Sequence, residues 1–312
     1  MKTNNTQNDI KVWRLIDGKP GHEKQSLGLI LALRKLHNIT SEDIEINHSL
    51  LKGVLSYISG NFSPGHQIKN PDLIIGCGHR THVSLLAAQR AFGGKTIVLM
   101  KPSLPYSLFD LCLIPKHDNP PKKENIISSY GSLNAMNLGM KKEKIPGSKA
   151  ILIGGPSRHF NWNNEVVINQ IEQIIDAEKK SGSKWMLSTS PRTPKGFLSM
   201  IKGRNLEGLL LHDSNQTPHG WLERKLHESE EAWVTPDSVS MIFEALTAGC
   251  KTGLLKLSST KKDTQVTENL KSLVKDGFVL PVYDFLQGKP MPVANFPSQA
   301  DICAKGILKR LT

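Results

Sequence analysis

Short apolar runs alternate with amphipathic stretches along the chain, and turns rich in glycine or proline separate them. Residues 10–17 are rich in β-branched and aromatic side chains, which predicts a strand. A glycine turn follows at 18–21, and residues 22–36 then carry apolar side chains at near-helical spacing. This succession of strand, turn and helix is typical of α/β proteins with parallel sheets.

The same succession recurs in two halves, which a polar stretch at 120–149 separates. The pattern in the first half predicts further strands at 45–49, 71–78, 95–100 and 108–115 and a helix at 82–92. In the second half it predicts strands at 149–157, 184–190, 207–213, 231–236 and 251–257, helices at 166–180, 194–203, 219–230 and 237–250, and a last helix at 298–311.

These elements predict an α/β fold with two facing Rossmann-like domains and a cleft between them. We expect an N-terminal domain at 1–145, a second domain at 146–285, and a C-terminal segment at 286–312 whose helix can pack back on the first domain. Parallel strands need helical crossovers, and ligands bind outside the carboxyl ends of such strands. Functional residues are therefore expected at the turns between strands and helices.

Composition adds a surplus of positive charge. Among the 312 residues, 40 are Lys or Arg and 28 are Asp or Glu, which gives a net charge of +12. Such a surplus favours an anionic partner, which can be a phosphate ligand, a nucleic acid or an acidic membrane surface. Its spread along the chain argues against a dedicated nucleic-acid binder. With no long apolar run and no apolar leader at the N-terminus, we expect a cytoplasmic protein that can lie on the inner face of the membrane.

The four cysteines, Cys77, Cys112, Cys250 and Cys303, form no C-x-x-C pair. We expect free thiols in a reducing compartment.

The first turn, at 17–22, combines Asp17, Lys19, Gly21 and His22. Glycines let a ligand approach the backbone, and the N-terminus of the following helix favours an anion. His22 is placed to take a proton, while Asp17 could do the same or orient His22. The simpler alternative is a tight turn in which Asp17 caps the helix.

Two further turns of the first half carry polar residues. At 76–81, Gly78 precedes Arg80, which can clamp an anion, and Thr81, which can cap the next helix. His117 and Asp118 end a later strand. For each turn an ordinary capped or solvated loop is the alternative.

The second half opens with a glycine turn that contains Gly154, Gly155 and Ser157. It lacks both G-x-G-x-x-G and G-x-x-x-x-G-K-[ST], which argues against an NAD-type oxidoreductase and a P-loop NTPase. Ser190, Arg192 and Thr193 end the next strand and suit a diphosphate, although an ordinary polar loop would look the same.

The stretch 235–245 predicts a strand end, a helix cap and a helix. Asp237 or Ser238 is the expected cap, and Ser238, Ser240 and the first helical amides can hold phosphate. Glu244 lies on the second turn and can accept hydrogen bonds from a ribose. The alternative is a well-capped core helix.

Several segments together resemble one family. They are WRLIDGKPGHEKQSLGLILAL, GHRTHVSLL, FDLCLIPKHD, GGPSRHFNW, LSTSPRTP and VTPDSVSMIFEALTAG, in that order. The chain resembles the Elm-type mitochondrial fission family and its bacterial relatives, which are usually described as lipooligosaccharide outer-core glycosyltransferases. That family is similar to GT-B glycosyltransferases, in which the C-terminal domain holds most of the nucleotide-sugar and no metal is required.

The resemblance implies roles for the turns. DGKPGH resembles the acceptor-side loop of the lipid-linked N-acetylglucosaminyltransferase of peptidoglycan synthesis, which makes His22 the first choice for the base and Asp17 the second. VTPDSVSMIFEALTAG resembles a donor-binding strand and helix, with Glu244 at the position that holds ribose. We assign to the acceptor side Lys19, Gly21, Gly78, Arg80, Thr81, His117 and Asp118. We assign to the donor side Gly154, Gly155, Ser157, Ser190, Arg192, Thr193, Asp237, Ser238, Ser240, Met241 and Glu244.

The function expected from these observations is that of a metal-independent, inverting glycosyltransferase. It would move a sugar from a nucleotide-sugar to a lipid-linked or saccharide acceptor of the cell envelope, at an anionic membrane surface. No Asp-x-Asp metal motif occurs in the chain, and no cofactor is expected. Two alternatives stay open: a non-catalytic membrane-associated scaffold, and a nucleotide-sugar epimerase on the same fold.

Overall fold

A computed structural model of the protein describes residues 9–46, 50–136, 143–261, 264–293 and 295–311. The chain divides into two units, one comprising Met1–Leu138 with Ser298–Thr312 and the other Gly139–Pro297. Each unit is built on a six-stranded parallel sheet against which helices pack. In the described part of the chain, no helix is both long enough and apolar enough to cross a bilayer.

The first unit has the strand order β2-β1-β3-β4-β5-β6. Its strands are β1 Ile10–Ile16, β2 Ile39–Glu45, β3 Leu73–Cys77, β4 Lys95–Leu99, β5 Leu111–Pro115 and β6 Ile126–Ser129. Its helices are α1 Pro20–Arg34, α2 Leu50–Ser59, α3 His82–Phe92 and α10 Gln299–Leu311.

The sheet of the first unit is buried on both faces, as parallel sheets usually are. Successive residues of β1 show this, since Val12 joins the core under α1 and α10 while Trp13 joins the core under α3. Helix α10 packs against α1 and β6, and Lys35 forms an ion pair with Asp301 at 3.1 Å. The last helix of the chain is therefore part of the first unit.

The second unit has the strand order β12-β11-β10-β7-β8-β9. Its strands are β7 Ser148–Leu152, β8 Lys184–Ser188, β9 Leu209–His212, β10 Glu231–Val234, β11 Lys251–Leu254 and β12 Val279–Pro281. Its helices are α4 Asn164–Ala177, α5 Phe197–Lys202, α6 Trp221–Glu228, α7 Val239–Thr247, α8 Gln265–Lys275 and α9 Val282–Leu286.

Two edge strands, β2 and β6, differ from the sequence-based prediction. The strand expected at 45–49 is wrong, because β2 ends at Glu45 and residues 47–49 lie outside the described part of the chain. The polar stretch 120–149, which the sequence pattern places between the two halves without a strand, contains β6. These two strands are the edges of the first sheet. An edge strand has a neighbour on one side only, and both strands carry a smaller share of apolar residues than the central strands.

His82 is a buried, neutral side chain at the start of α3. Its Nδ1 lies 3.2 Å from Ser103 Oγ, and its Nε2 is buried without a hydrogen-bond partner among the described residues. Burial, and to a smaller extent the nearby His79, lower the pKa of His82 to about 4. The folded protein therefore resists protonation of this ring.

We predict that this resistance makes the first unit sensitive to acid. Between an ordinary histidine pKa of about 6.5 and a pKa of about 4, the unfolded chain binds a proton at this position that the folded chain does not. The free energy of unfolding therefore falls as the pH drops through this window, by up to about 3 kcal/mol. His82→Asn, which keeps a polar atom toward Ser103, should flatten this slope in urea unfolding measured at several pH values. The exposed His219→Asn should not, and an unchanged slope for both would contradict the assignment.

Candidate functional site

Both sheets have a place where the strand order reverses. In the first sheet it lies between β1 and β3, and in the second between β7 and β10. Crossovers leave such a point in opposite directions, which opens a crevice at the carboxyl ends of the two strands. Four of the six turns singled out from the sequence follow these four strands, and the other two follow β5 and β8.

The first reversal point holds a pair formed by Asp17 and His22. Asp17 follows β1 and its side chain is fully buried, while His22 lies in the first turn of α1. His22 Nδ1 is 2.9 Å from Asp17 Oδ2, and the other carboxylate oxygen accepts a hydrogen bond from the Lys19 amide at 3.3 Å. An Nδ1–H that donates to Asp17 leaves Nε2 free to accept a proton. Asp17 therefore orients His22 and does not cap α1, whose N-cap position is Lys19.

Gly78, from the neighbouring turn after β3, packs against the imidazole of His22. A Cβ atom at residue 78 would lie 2.3 Å from His22 Cε1, and the residue has a φ of +81°. Both the contact and the backbone conformation require glycine here. Thr81 supports the turn, since its hydroxyl donates a hydrogen bond to the Gly78 carbonyl at 2.9 Å. Contrary to the prediction from sequence, the Thr81 side chain makes no cap bond to α3. Arg80 is exposed on the same turn.

The thiol of Cys77 immediately precedes this turn. Burial, together with the negative charge of Asp17, raises the pKa of Cys77 to about 12. The group stays a protonated thiol near neutral pH, so it is not a nucleophile at this site.

His117 and Asp118 follow β5, two strands beyond β3 along the same edge. His117 Nε2 lies 3.9 Å from Asp118 Oδ1, and Lys101 donates to the Asp118 carbonyl at 3.3 Å. Burial lowers the pKa of His117, and the charge of Asp118 partly opposes this shift. The structure thus keeps this pair at the predicted edge but separate from the contact between His22 and Gly78.

The second reversal point is organised around Asp237, which follows β10. Its side chain is fully buried, and its Oδ2 accepts a hydrogen bond from the Gly155 amide at 2.9 Å. The Gly154 amide donates to Thr235 Oγ1 at 2.8 Å. A Cβ atom at residue 154 would lie 2.1 Å from Asp237 Oδ2, so the glycine allows the carboxylate to approach. The two amides that could have cradled a phosphate are therefore used by the protein's own side chains.

Arg192 connects the turn after β8 to this carboxylate. Its Nη2 lies 2.8 Å from Asp237 Oδ2, yet 44% of the side-chain surface stays exposed. The hydroxyls of Ser190 and Thr193 donate to the Gly154 carbonyl at 2.9 Å and 2.6 Å, which ties the two turns together. The guanidinium also donates from Nη1 to the Pro156 carbonyl at 3.3 Å, so Asp237 and the turn after β7 both hold it while part of its surface stays open to solvent.

The remaining predicted donor-side residues lie around the start of α7 and after β7. Ser238 occupies the N-cap position of α7 but makes no side-chain cap bond, which corrects the expected cap. Ser240 is exposed on the first turn, and Glu244 is buried on the second. The Ser157 hydroxyl accepts hydrogen bonds from the amides of His159 and Phe160, both at 3.2 Å. Met241, the last of the donor-side residues, is half-buried on α7. On the acceptor side, Gly21 is exposed on α1.

Thr235 is a site residue that sequence reasoning missed. It is completely buried, and its hydroxyl fixes Gly154. Its sequence signals are its position at the end of a predicted strand and its place in the segment VTPDSVSMIFEALTAG, neither of which marks its hydroxyl as part of the site. Among the described residues, no group of three or more His, Cys, Asp or Glu side chains is arranged to hold a metal ion.

Comparison with known proteins identifies the fold and its relatives. A family model described as mitochondrial fission ELM1 matches residues 20–311. A Rickettsia prowazekii protein described as uncharacterized protein RP120 is 23% identical over 300 aligned residues, covering 77% of this chain and 81% of that protein. The UDP-GlcNAc 2-epimerase of Methanocaldococcus jannaschii has a TM-score of 0.61 at 15% identity and covers 96% of this chain and 99% of its own. MurG of Acinetobacter baumannii has a TM-score of 0.50 at 12% identity, with coverages of 96% and 91%. With the two parallel sheets, these likenesses confirm the predicted α/β, GT-B-like fold.

We predict that Gly78→Ala destabilises the first unit more than a matched glycine substitution does. Gly93 also has a positive φ, +77°, but nothing lies within 4 Å of a Cβ placed there. Both substitutions incur backbone strain of about 1–3 kcal/mol, and Gly78→Ala adds the collision with His22, about 1–3 kcal/mol more. Urea unfolding of the two variants measures the difference. In a His22→Ala background the difference should shrink, and its persistence there would show that His22 is not the colliding group.

Proposed function

This chain belongs to the mitochondrial fission ELM1 family, and from that premise we propose that it is a metal-independent glycosyltransferase. It transfers a sugar from a nucleotide-sugar to a cell-envelope acceptor that resembles the lipooligosaccharide core, on the cytoplasmic side of the membrane. The observation that carries this proposal is the 2.9 Å contact between Asp17 and His22 at the reversal point of the first sheet. A histidine that a buried carboxylate orients is suited to act as a general base.

The first unit binds the acceptor in this proposal. The acceptor hydroxyl gives its proton to His22 Nε2, and Asp17 stabilises the imidazolium that forms. The acceptor oxygen bonds to the anomeric carbon while the bond from that carbon to the diphosphate oxygen breaks. Nucleoside diphosphate leaves, and a single displacement of this kind inverts the anomeric configuration. The exposed Arg80 can pair with an anionic group of the acceptor.

The second unit binds the donor. Because the amides of Gly154 and Gly155 are already used, we assign the diphosphate to the open side of Arg192 and to the first amides of α7. Asp237 acts as a positioning residue, since it holds Arg192 in place. The arginine and the positive end of the α7 dipole compensate the charge that builds up on the leaving diphosphate. Glu244 is assigned to the ribose.

The likeness to the 2-epimerase supports a nucleotide-sugar ligand but also keeps an alternative in view. An epimerase would convert the nucleotide-sugar without any acceptor, whereas a scaffold of the mitochondrial-fission type would bind no nucleotide.

Thermal melting of the protein against UDP, GDP, ADP and CMP and their sugars shows whether it binds a nucleotide. A ligand at 100 times its dissociation constant stabilises a protein by about 2.7 kcal/mol, which shifts the melting temperature by a few degrees.

We predict that His22→Ala lowers transfer by about 10²- to 10⁴-fold and leaves nucleotide affinity unchanged, because His22 acts on the acceptor. The measurement is release of nucleoside diphosphate from the nucleotide-sugar that shifts the melting temperature, with purified lipooligosaccharide core as acceptor. His79→Ala, an exposed histidine at the same sheet edge, is the matched control and should behave as the wild type. Transfer by His22→Ala at the wild-type rate would remove His22 from the mechanism.

We predict that Arg192→Ala weakens binding of a nucleoside diphosphate by about 1–3 kcal/mol, because a charged hydrogen bond to phosphate is lost. The affinity for the corresponding nucleoside, which has no phosphate, should not change. Isothermal titration of both ligands provides the comparison. Arg204→Ala removes an arginine of similar exposure that pairs with Glu165 and Glu172, and it serves as the control. Equal losses for the nucleoside and its diphosphate would place Arg192 outside the phosphate site.

A further inference from the structure

Helix α2 exposes an unusual amount of apolar surface. Leu51, Leu55 and Ile58 are 70%, 57% and 65% exposed, and Val54 and Tyr57 are 38% and 39% exposed. Residues 51, 54, 55 and 58 have the spacing of a single helical face. Isolated exposed apolar residues are ordinary, but a continuous stripe of this kind marks an interaction surface.

The opposite side of α2 attaches it to α3. A Cβ atom at Gly53 would lie 3.3 Å from Val83 Cγ1, near the start of α3. Tyr57 lies under the guanidinium of Arg90, 5.3 Å from the ring centroid and near the end of α3. The two helices therefore run parallel, and α2 lies along the unit with its apolar stripe facing solvent.

Basic residues outnumber acidic ones in the sequence that contains α2 and α3. Between residues 46 and 109 the only acidic residue is Asp72, which accepts a hydrogen bond from the Lys11 amide. The same stretch contains the basic residues Lys52, Lys69, Arg80, Arg90, Lys95 and Lys101. Lys52 is the only charged residue of α2 itself.

We propose that α2 docks the protein onto an anionic lipid bilayer. An apolar helical face flanked by lysine and arginine is suited to lie in the membrane interface, where the apolar side chains enter the acyl boundary and the cations meet lipid headgroups. A protein partner or a second copy would also cover apolar surface. The basic side chains that belong to this helix and contact it, Lys52 and Arg90, instead match a surface of uniform negative charge.

The direction of α2 connects this surface to the candidate site. Both α2 and α3 begin at the carboxyl edge of the first sheet, where His22 and Gly78 lie. A bilayer bound along α2 would therefore meet the unit beside the acceptor-side turns. This inference rests on the proposed function insofar as the acceptor is lipid-linked, and it deepens that proposal by assigning the surface that brings the enzyme to its acceptor.

The test is co-sedimentation of the full-length protein with vesicles of phosphatidylcholine, with and without about one-third phosphatidylglycerol. We expect the wild type to bind the anionic vesicles and to bind pure phosphatidylcholine much more weakly. The double variant Leu55→Glu/Ile58→Glu should lose at least about 10-fold in binding, because two carboxylates would enter the interface. Leu210→Glu, at a leucine that is 66% exposed in the second unit, should bind as the wild type does.

Three results would overturn the proposal: no vesicle binding by the wild type, equal binding of both lipid compositions, or unchanged binding of the double variant. A wild-type dimer that the double variant converts to a monomer, with vesicle binding intact, would instead assign the stripe to a second copy. Thermal melting with the nucleotide panel is measured on the same variants. Retained nucleotide binding shows that the double variant is folded. If the wild type binds vesicles but no nucleotide, the result counts against the proposed enzyme and not against membrane docking by α2.

Discussion

Each candidate centre depends on the close approach of a side chain to a backbone that carries no Cβ atom. His22 lies on Gly78 and Asp237 lies on Gly154, and in each case an added Cβ atom would come within 2.3 Å of the neighbouring group. These contacts occur where crossovers diverge, so the two turns involved come from strands that are adjacent in space and distant in sequence. The glycines therefore decide whether the turns can meet at all.

The two units share one electrostatic arrangement. In each, a carboxylate without exposed surface follows a central strand and fixes one partly exposed group, which is His22 beside Asp17 and Arg192 beside Asp237. Burial of a carboxylate is costly, and hydrogen bonds from backbone amides together with the partner offset part of that cost, although Asp237 Oδ1 has no hydrogen-bond partner among the described residues. Since the carboxylates are inaccessible, only the outer side of each partner can meet a ligand.

The sequence predicted most central strands because parallel strands buried on both faces appear as continuous apolar runs. It missed β6 and misplaced β2, since edge strands are partly exposed and lose that signal. The pairing of Asp17 with His22 could be anticipated because the residues share one turn. The pairing of Arg192 with Asp237 could not, because it depends on β7 lying between β8 and β10, which no local pattern specifies.

Helix α2 also escaped prediction, and its energetics explain why it depends on its surroundings. A helix of ten residues is marginal by itself in water, and most helices are stabilised by burying an apolar face. In α2 the side that meets the protein is formed by Gly53, Ser56 and the ring of Tyr57, whereas Leu51, Leu55 and Ile58 face outward. Packing within the unit therefore contributes little hydrophobic free energy to this helix. A surface that covers the outer stripe would supply the hydrophobic stabilisation that packing within the unit does not.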